Sequence, residues 1–324
     1  MYQSQTVIGQ TLGSKDDALE NYAWPDNDLH YIPDWVYTSQ EVYDREMELI
    51  FRGDTWNFVA LEAEIPNHGD YKRSYVGDTP VVVSRAEDGS INVFENRCAH
   101  RGAEFCRESK GNAKEFVCPY HQWSYTLKGD LQGVPFKRGV NKQGGMPRDF
   151  RNEDHGLRKL HVTTLNGVVF ASYSDKVEPL EEYLSPEILE DFKVTFTGKP
   201  LKILGYYRNE LPCNWKMYHE NLKDPYHATL LHSFLVVFGL LVAGNKSMMF
   251  ADKVHGRHGI MGSAKSDDLY ADVNPETKKE MRSFHEGLKL QDERFLHFVK
   301  EFDSPWSVTM DTIWPNFIIQ REMN

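Results

Sequence analysis

Apolar and polar residues alternate differently in successive parts of the chain. Ser39 to Arg52 carries apolar residues at helical spacing, and Ser39 is suited to cap the first turn. From Trp56 to Tyr173 the apolar runs are short and are separated by glycine, asparagine and aspartate. We therefore predict an all-β module over this stretch, preceded by one helix and, before about residue 40, by an irregular polar arm.

The rest of the chain mixes helical and strand patterns. Residues 179–192 are acidic and predict a joining helix, 201–211 predict a strand, and 214–232 predict a helical segment. Residues 239–272 are rich in Gly, Ala, Ser, Met and Lys without periodicity, which indicates a mobile lid over a pocket or, alternatively, a surface loop with no role. The predicted fold class is α+β, an all-β domain plus a domain of helices on an antiparallel sheet. The predicted domains are residues 1–55 (arm and helix), 56–175 (all-β) and 176–324.

Length and composition exclude several classes of function. The 324 residues are 40% hydrophobic and 26% charged, as in globular proteins, and are enough for two domains. The longest apolar run, 234–242, is too short to cross a membrane, and no secretory leader is recognisable. A net charge of −11 argues against a nucleic-acid partner. Four cysteines suit a reduced compartment, so we predict a cytoplasmic protein.

Two short segments each contain one cysteine and one histidine. Cys98 and His100 lie in the first segment, Cys118 and His121 lie in the second, and seventeen residues separate the two. A structural zinc site usually takes paired cysteines from one arm and paired histidines or cysteines from the other. A Rieske-type [2Fe–2S] centre instead has two thiolates on one iron and two imidazoles on the other. The mixed arms favour the Rieske centre, with a mononuclear zinc site as the alternative.

The residues around these four side chains carry a resemblance to a known family. The chain resembles the Rieske domain of aromatic-ring-hydroxylating oxygenases in Cys98-Ala99-His100-Arg101-Gly102, in Cys118-Pro119-Tyr120-His121-Gln122-Trp123 and in Gly129-Asp130-Leu131-Gln132-Gly133. The resemblance implies that Cys98, His100, Cys118 and His121 bind a [2Fe–2S] cluster.

A second candidate metal site lies in the helical pattern of residues 214–232. His227 and His232 are five residues apart, which on a straight helix leaves their rings roughly 140° apart. The rings converge only if the helix is broken or locally widened. Pro225 fits the first turn of a new helix and Asp224 fits its N-cap, so we predict a break there. The alternative is a pair of hydrogen-bonded core histidines.

Two imidazoles and one carboxylate, with open positions opposite, are typical of non-haem Fe(II) oxygenases. The frame Asn221-x-x-Asp224-x-x-His227-x-x-x-x-His232 resembles the iron-binding segment of the same oxygenase family. The resemblance implies that His227 and His232 bind a mononuclear iron. It also implies that Asp224 links this iron to a cluster histidine, corresponding to His121, of a neighbouring subunit in a trimer. Asp224 can alternatively be only a helix cap, and the two roles are compatible.

The third iron ligand is not evident in the sequence. In the family it is an aspartate on a helix beyond a strand that resembles residues 314–320, and the sequence ends four residues after that strand. Asp303 and Asp311 are the nearest carboxylates, and we interpret both as ordinary solvated acids. We therefore expect the third carboxylate to lie beyond Asn324, the catalytic sheet to be incomplete, and the sequence to be a C-terminal truncation.

The resemblance extends from about Trp35 onward and is closest to the salicylate hydroxylase branch, as in Leu61-Glu62-Ala63-Glu64-Ile65-Pro66. It implies an oxygenase large (alpha) subunit that hydroxylates salicylate or a related benzoate with O2, with monooxygenation preferred over cis-dihydroxylation. Its implied partners are a ferredoxin with its reductase, two further copies in a homotrimer, and a small beta subunit. Arg257, His255 and His258 are candidates to bind the substrate carboxylate. The alternatives are a Rieske electron-transfer protein without oxygenase chemistry and a zinc-stabilised binding module.

Overall fold

The structure is a computed structural model of the chain. It describes residues 22–24, 31–141, 143–232, 237, 246–263, 287–292, 294, 302, 304, 306 and 308–321. Within these residues the strands form four sheets, and every pairing between neighbouring strands is antiparallel. No helix in the described part of the chain is long and apolar enough to cross a membrane.

The predicted N-terminal helix is present and begins where its cap was expected. A short helix, α1 (Trp35–Thr38), precedes α2 (Gln40–Glu46), which continues as one π-helical turn (Met47–Phe51). Ser39 caps α2, because its Oγ accepts a hydrogen bond from the Val42 N–H at 3.2 Å. The π turn buries Met47 and Phe51 against the first sheets.

Ten strands form the all-β part of the molecule in three sheets. Their orders are β4-β3-β2-β5, β6-β7-β8 and β1-β10-β9. The strands are β1 (Asn57–Leu61), β2 (Asp70–Val76), β3 (Thr79–Arg85), β4 (Ile91–Glu95), β5 (Lys110–Asn112), β6 (Phe116–Val117), β7 (Ser124–Tyr125), β8 (Leu131–Gly133), β9 (His161–Leu165) and β10 (Val168–Ser172). β3 is buried on both faces, with Val82 in one core and Val81 and Val83 in another, which explains its unbroken apolar run.

The second part of the molecule places helices on a four-stranded sheet of order β11-β12-β13-β14. Its elements are α3 (Leu180–Leu184), α4 (Pro186–Thr195), α5 (Lys216–Leu222), α6 (Pro225–Leu231), β11 (Ser247–Ala251), β12 (Gly259–Ser263), β13 (Val308–Ile313) and β14 (Phe317–Arg321). One face of this sheet packs on α3 and α4 in a core that also includes Trp56 and Phe170 of the all-β part. The predicted fold class, α+β, is confirmed.

Two predictions about this second part were wrong. Residues 201–211 form no strand: they have no strand partner among the described residues and expose Leu204 and Tyr207 almost completely. Residues 239–272 are not structureless throughout, since residues 247–263 form β11, a turn and β12; their role as a lid stays a prediction. The rest of the predicted lid lies outside the described residues.

The turn between β13 and β14 joins the two parts of the molecule. β1 has a bulge between Phe58 and Ala60, where the register of its pairing with β10 shifts. The Asn316 side chain accepts from the Phe58 N–H at 2.8 Å and donates to the Phe58 carbonyl at 3.0 Å. The Phe58 ring also stacks on Phe317, with 4.4 Å between centroids. The backbone N–H and carbonyl of Phe58, beside the bulge, are therefore hydrogen-bonded by the second part of the molecule.

Candidate metal centres and family

The two loops that carry the predicted cluster ligands have the same backbone design. In each loop the cysteine N–H donates to the carbonyl five residues later: Cys98 to Ala103 at 2.9 Å, and Cys118 to Trp123 at 2.8 Å. The residue four positions after each cysteine, Gly102 or Gln122, donates back to the cysteine carbonyl and has a positive φ. Each loop is thus closed into a tight turn by its own hydrogen bonds, and the ligand side chains project from this turn.

Among the four predicted cluster ligands, the two histidines are neighbours and so are the two cysteines. The His100 and His121 rings lie 4.6 Å apart between centroids, and His100 stacks on Trp123 at 4.7 Å. Burial and the nearby Cys118 thiol raise the pKa of Cys98, although hydrogen bonds to its sulfur oppose this effect. Burial, then the charge on His121, lowers the pKa of His100, which favours the neutral imidazole that binds metals.

This donor set fits a [2Fe–2S] cluster. The thiols of Cys98 and Cys118 are neighbours and so are the two imidazoles, as expected for two irons with different ligands. The Nδ1 of His100 is buried and has no hydrogen-bond partner among the described residues, so it is available to a metal. Both cysteines lie in the same buried core as Trp123 and Tyr125.

Tyr125 supports the first cluster loop from β7 and was not identified in the sequence. Its hydroxyl lies 3.1 Å from the Cys98 Sγ and accepts a hydrogen bond from the Ala99 N–H at 3.1 Å. Burial and the contact with Cys98 raise the pKa of Tyr125, so the hydroxyl keeps its proton. The sequence signal was its position, seven residues after Cys118 at the end of an apolar-polar alternation.

The predicted helix break is present between α5 and α6. Asp224 is the N-cap of α6: its Oδ1 accepts from the Tyr226 N–H at 2.8 Å and from the His227 N–H at 3.3 Å. Pro225 occupies the first turn of α6, as predicted from its fixed φ and missing N–H. The backbone N–H of Tyr226, above all, lowers the pKa of Asp224, which is therefore a carboxylate at neutral pH.

The break brings the two histidines of this segment together. The Nε2 atoms of His227 and His232 are 3.2 Å apart, and the Asn221 Nδ2 lies 3.2 Å from the His227 Nε2. The His227 Nδ1 faces the Asp224 Oδ2 at 3.3 Å. Two neighbouring Nε2 atoms in the neutral imidazole form offer two lone pairs to one ion. The pair therefore fits two ligands of a mononuclear iron site, with a carboxylate directly behind one ring.

Distant contacts fix α5, which leads into the break. The Lys216 Nζ lies 2.7 Å from the Glu46 carboxylate, and the Trp215 Nε1 donates to the same carboxylate at 3.0 Å. Further along the helix, the His219 Nε2 donates to the Pro315 carbonyl at 2.8 Å. α5 is thus attached both to α2 and to the turn between β13 and β14.

No third iron ligand is evident among the described residues. Within them, no third Cys, His, Asp or Glu side chain joins His227 and His232 in a group that could hold a metal ion. Asp303 lies outside the described residues. Asp311 is not a solvated acid, and that interpretation was wrong: it is 2% exposed on the inner face of β13. Burial, then the neighbouring Asp191 carboxylate, raises the pKa of Asp311 to about 8.

The three residues proposed to bind the substrate carboxylate are engaged elsewhere. The Arg257 Nη1 lies 2.6 Å from the Glu178 carboxylate, which the His255 Nε2 also approaches at 3.6 Å. His258 is 1% exposed, and its Nε2 donates to the Tyr183 carbonyl at 2.7 Å. Burial lowers the pKa of His258 to about 4, so it is neutral. None of the three presents a free cation.

Comparisons with known proteins agree with both centres. Residues 55–143 match the Rieske [2Fe-2S] domain, and residues 200–323 match the catalytic domain of the ring hydroxylating alpha subunit. The chain is 49% identical to the large oxygenase component of salicylate 5-hydroxylase from a Ralstonia species, over 93% of this chain and 71% of that protein. It is 46% identical to the large subunit of anthranilate 1,2-dioxygenase from Burkholderia cepacia, over 99% of this chain and 75% of that protein.

The fold is similar to that of a solved naphthalene 1,2-dioxygenase variant bound to phenanthrene. The TM-score is 0.67 at 24% identity, and the match covers 87% of this chain and 64% of that chain, just under two thirds of its length. The relatives above are large components of multi-subunit oxygenases. This chain belongs to the ring-hydroxylating oxygenase alpha subunits, a family of enzymes that combine a Rieske [2Fe–2S] domain with a catalytic domain that uses mononuclear iron.

Proposed function

We propose that this chain is the large subunit of a terminal oxygenase that hydroxylates salicylate or a related benzoate with O2. The observation that carries the proposal is the convergence of the His227 and His232 Nε2 atoms, 3.2 Å apart, beside Asp224. A protein that only transfers electrons through a Rieske cluster has no use for this second pair. Both close relatives are named for ortho-substituted benzoates, which supports an aromatic acid as the substrate.

Each predicted site residue has a role in this proposal. Cys98, Cys118, His100 and His121 hold the cluster, and His227 and His232 hold the iron. When bound, the cluster supplies single electrons and the iron supplies oxygen activation. The Asp224 Oδ2 lies 3.3 Å from the His227 Nδ1, and we propose that it orients this ring when the iron is bound, as a carboxylate behind a metal-bound imidazole does. The third iron ligand stays a prediction.

Asp224 also has the position required of a link between subunits. Its side chain is 46% exposed although it caps α6, so its outer face is accessible to another protein surface. His121 is only half buried and is flanked by the exposed Tyr120. We propose that the two surfaces meet across an interface between copies in a homotrimer.

The remaining partners follow from the same family. We propose that a ferredoxin and its reductase deliver electrons to the cluster and that a small beta subunit completes the oxygenase. The domain boundaries at residues 55 and 175 and the cytoplasmic location stay predictions of the sequence.

The proposal is tested by metal content and product together. We expect the purified oxygenase to contain, per chain, two irons and two labile sulfides for the cluster and a third iron at the histidine pair. With salicylate, 18O2, ferredoxin and reductase, we expect 18O in a hydroxylated product. His227→Ala should retain the sulfide and the cluster spectrum but form no product. His255→Ala, which removes a half-exposed histidine paired with Glu178, is the control and should stay active. Equal product from His227→Ala and wild type would disprove the oxygenase site.

A further inference from the structure

Lys223 lies at the end of α5, immediately before the helix that carries the histidine pair. It follows His219 by four residues, so it lies on the same side of the chain as that buried histidine, but its own side chain is exposed. Its Cε is 3.6 Å from the position that a Cβ on Gly259 would occupy. The Lys223 side chain therefore extends over β12, beside the Thr312 side chain of β13.

The Lys223 ammonium has no carboxylate partner in the part of the chain that the structure describes. Two other lysines of this region are paired with acids: the Lys216 Nζ lies 2.7 Å from Glu46, and the Lys253 Nζ lies 3.8 Å from Glu187. A lysine that is directed onto a sheet without an acid is available to an anion from outside the chain.

The sheet face under Lys223 continues as a row of methionines. Strand register places Met249 opposite Met261 and Met261 opposite Met310. These side chains lie on the opposite face from the core with α3 and α4, and Met249 is 58% exposed. Met261 is two residues from Gly259 on the same face, or about 7 Å along the strand. Methionine adapts its shape and makes favourable sulfur contacts with aromatic rings.

We infer that Lys223 binds the carboxylate of the aromatic acid while the ring of that acid lies on the methionine row. The inference rests on the proposed function and names the residue that distinguishes an acid from a neutral aromatic compound. The sequence signal was a cation directly before the helix cap Asp224. A charge-assisted hydrogen bond to a carboxylate corresponds to about a ten- to hundredfold change in affinity.

The test measures binding and turnover separately in the full chain. Lys223→Met removes the charge and keeps much of the side-chain length, Lys223→Arg restores a cation, and Lys253→Met is the control on the outer hairpin. Each protein is titrated calorimetrically with salicylate and with its neutral amide, and KM and kcat are measured for both.

We expect Lys223→Met to raise the Kd and the KM for salicylate about ten- to hundredfold while kcat stays within about twofold. The amide should bind wild type and variant equally, and Lys223→Arg should recover most of the affinity for salicylate. Equal losses for acid and amide, or an unchanged Kd for salicylate, would overturn the role of Lys223. Wild type that binds salicylate through Lys223 but forms no product would disprove the proposed function and leave this inference standing.

Discussion

The two candidate metal centres are held in place in different ways. Each cluster loop is closed by its own backbone hydrogen bonds, and Cys98 and Cys118 are buried in one local core. The histidine pair is held by a break between two short helices, with Asp224 half exposed and His232 exposed. The first centre is therefore determined by local sequence. The second depends on where α5 is attached to distant residues such as Glu46 and Pro315.

Buried polar groups show the same contrast. Beside the cluster, the Asn96 side chain donates to the Cys106 carbonyl at 2.7 Å and accepts from the N–H groups of Phe105 and Cys106. In the sheet behind the histidine helices, neither carboxyl oxygen of Asp311 has a hydrogen-bond partner among the described residues. A buried polar group without a partner costs about 1–3 kcal/mol. The buried Asn96 beside the cluster is thus fully hydrogen-bonded, whereas the buried Asp311 in the catalytic sheet carries a cost in free energy.

The largest expected effect separates the two centres completely. Cys118→Ser should abolish the [2Fe–2S] cluster, because a serine hydroxyl replaces one of the four ligands in a loop that contains no second cysteine. Absorbance and sulfide content should fall to background. Helix α6, whose cap and proline are local to it, should keep its far-ultraviolet circular dichroism. Cys213→Ser, at an exposed free cysteine, is the matched control and should retain full sulfide. A Cys118→Ser protein with wild-type sulfide would refute the assignment.

A smaller effect is expected at the helix break, where one residue has two roles. Asparagine is as good an N-cap as aspartate, so Asp224→Asn should keep the fold and the cluster while removing the carboxylate behind His227. Loss of such a carboxylate typically costs about 10- to 100-fold in metal affinity or activity. We expect that decrease in single-turnover product formation from the chemically reduced enzyme. Asp292→Asn, at an exposed acid paired with Arg294, should change nothing. Unchanged turnover in Asp224→Asn would leave Asp224 as a cap alone.

The difference between the two regions also decides what the sequence could predict. Cys98, His100, Cys118 and His121 lie within 24 residues, so their mixed types and the family resemblance of the residues around them indicated the cluster. The break at Asp224 and Pro225 was equally predictable, because the proline ring and the capping carboxylate act on their own backbone. The fold class, the family and the two cofactors are confirmed for this reason.

Predictions that depended on distant partners were the ones that failed. Residues 201–211 have the apolar pattern of a strand, but a strand also needs a neighbouring strand, which the described residues do not provide. The hairpin within 239–272 was missed because its turn is organised by Asp252, which accepts from the N–H groups of Val254, His255 and Arg257. Asp311 was misjudged because only the register with Ile260 and Ile319 shows that it faces inward.

The buried Asp311 carboxyl in the catalytic sheet predicts that the stability of the protein depends on pH. The pKa of Asp311, about 8 in the folded state, lies above the ordinary value of an unfolded aspartate, so the folded state holds the extra proton. Its stabilising contribution is complete below about pH 4 and is lost as the pH rises to about 8. The side chain in Asp311→Asn stays neutral at every pH. We therefore expect the variant to be more stable than wild type, and the difference in free energy of unfolding should be larger at pH 8.5 than at pH 5 by at least about 1 kcal/mol.

Urea unfolding at the two pH values measures this difference, and Asp252→Asn is the control, whose difference from wild type should be the same at both pH values. Burial acts to raise the pKa of Asp252, but its three backbone N–H donors lower it overall. Its contribution is therefore present at neutral pH and is lost on acidification. Parallel pH profiles for wild type and Asp311→Asn would show that Asp311 is ionised and satisfied in the folded protein.

The smallest expected effect tests the similarity of the two cluster loops. Gly102 and Gln122 occupy equivalent positions with φ of 69° and 56°, yet only one of them is a glycine. A residue with a Cβ is destabilised by roughly 1–2 kcal/mol at such a positive φ. Replacing it with glycine recovers only part of this energy, because glycine has more conformational freedom in the unfolded chain. Gln122→Gly should therefore raise the free energy of unfolding by about 0.5–1 kcal/mol. Gly102→Ala should lower it by a similar amount, since a Cβ there meets nothing within 4 Å and only the backbone is strained. Chemical denaturation of the two variants, each with its cluster bound, measures both changes in free energy of unfolding. If both substitutions changed the stability in the same direction, side-chain contacts and not the positive φ would determine which residue each loop prefers at this position.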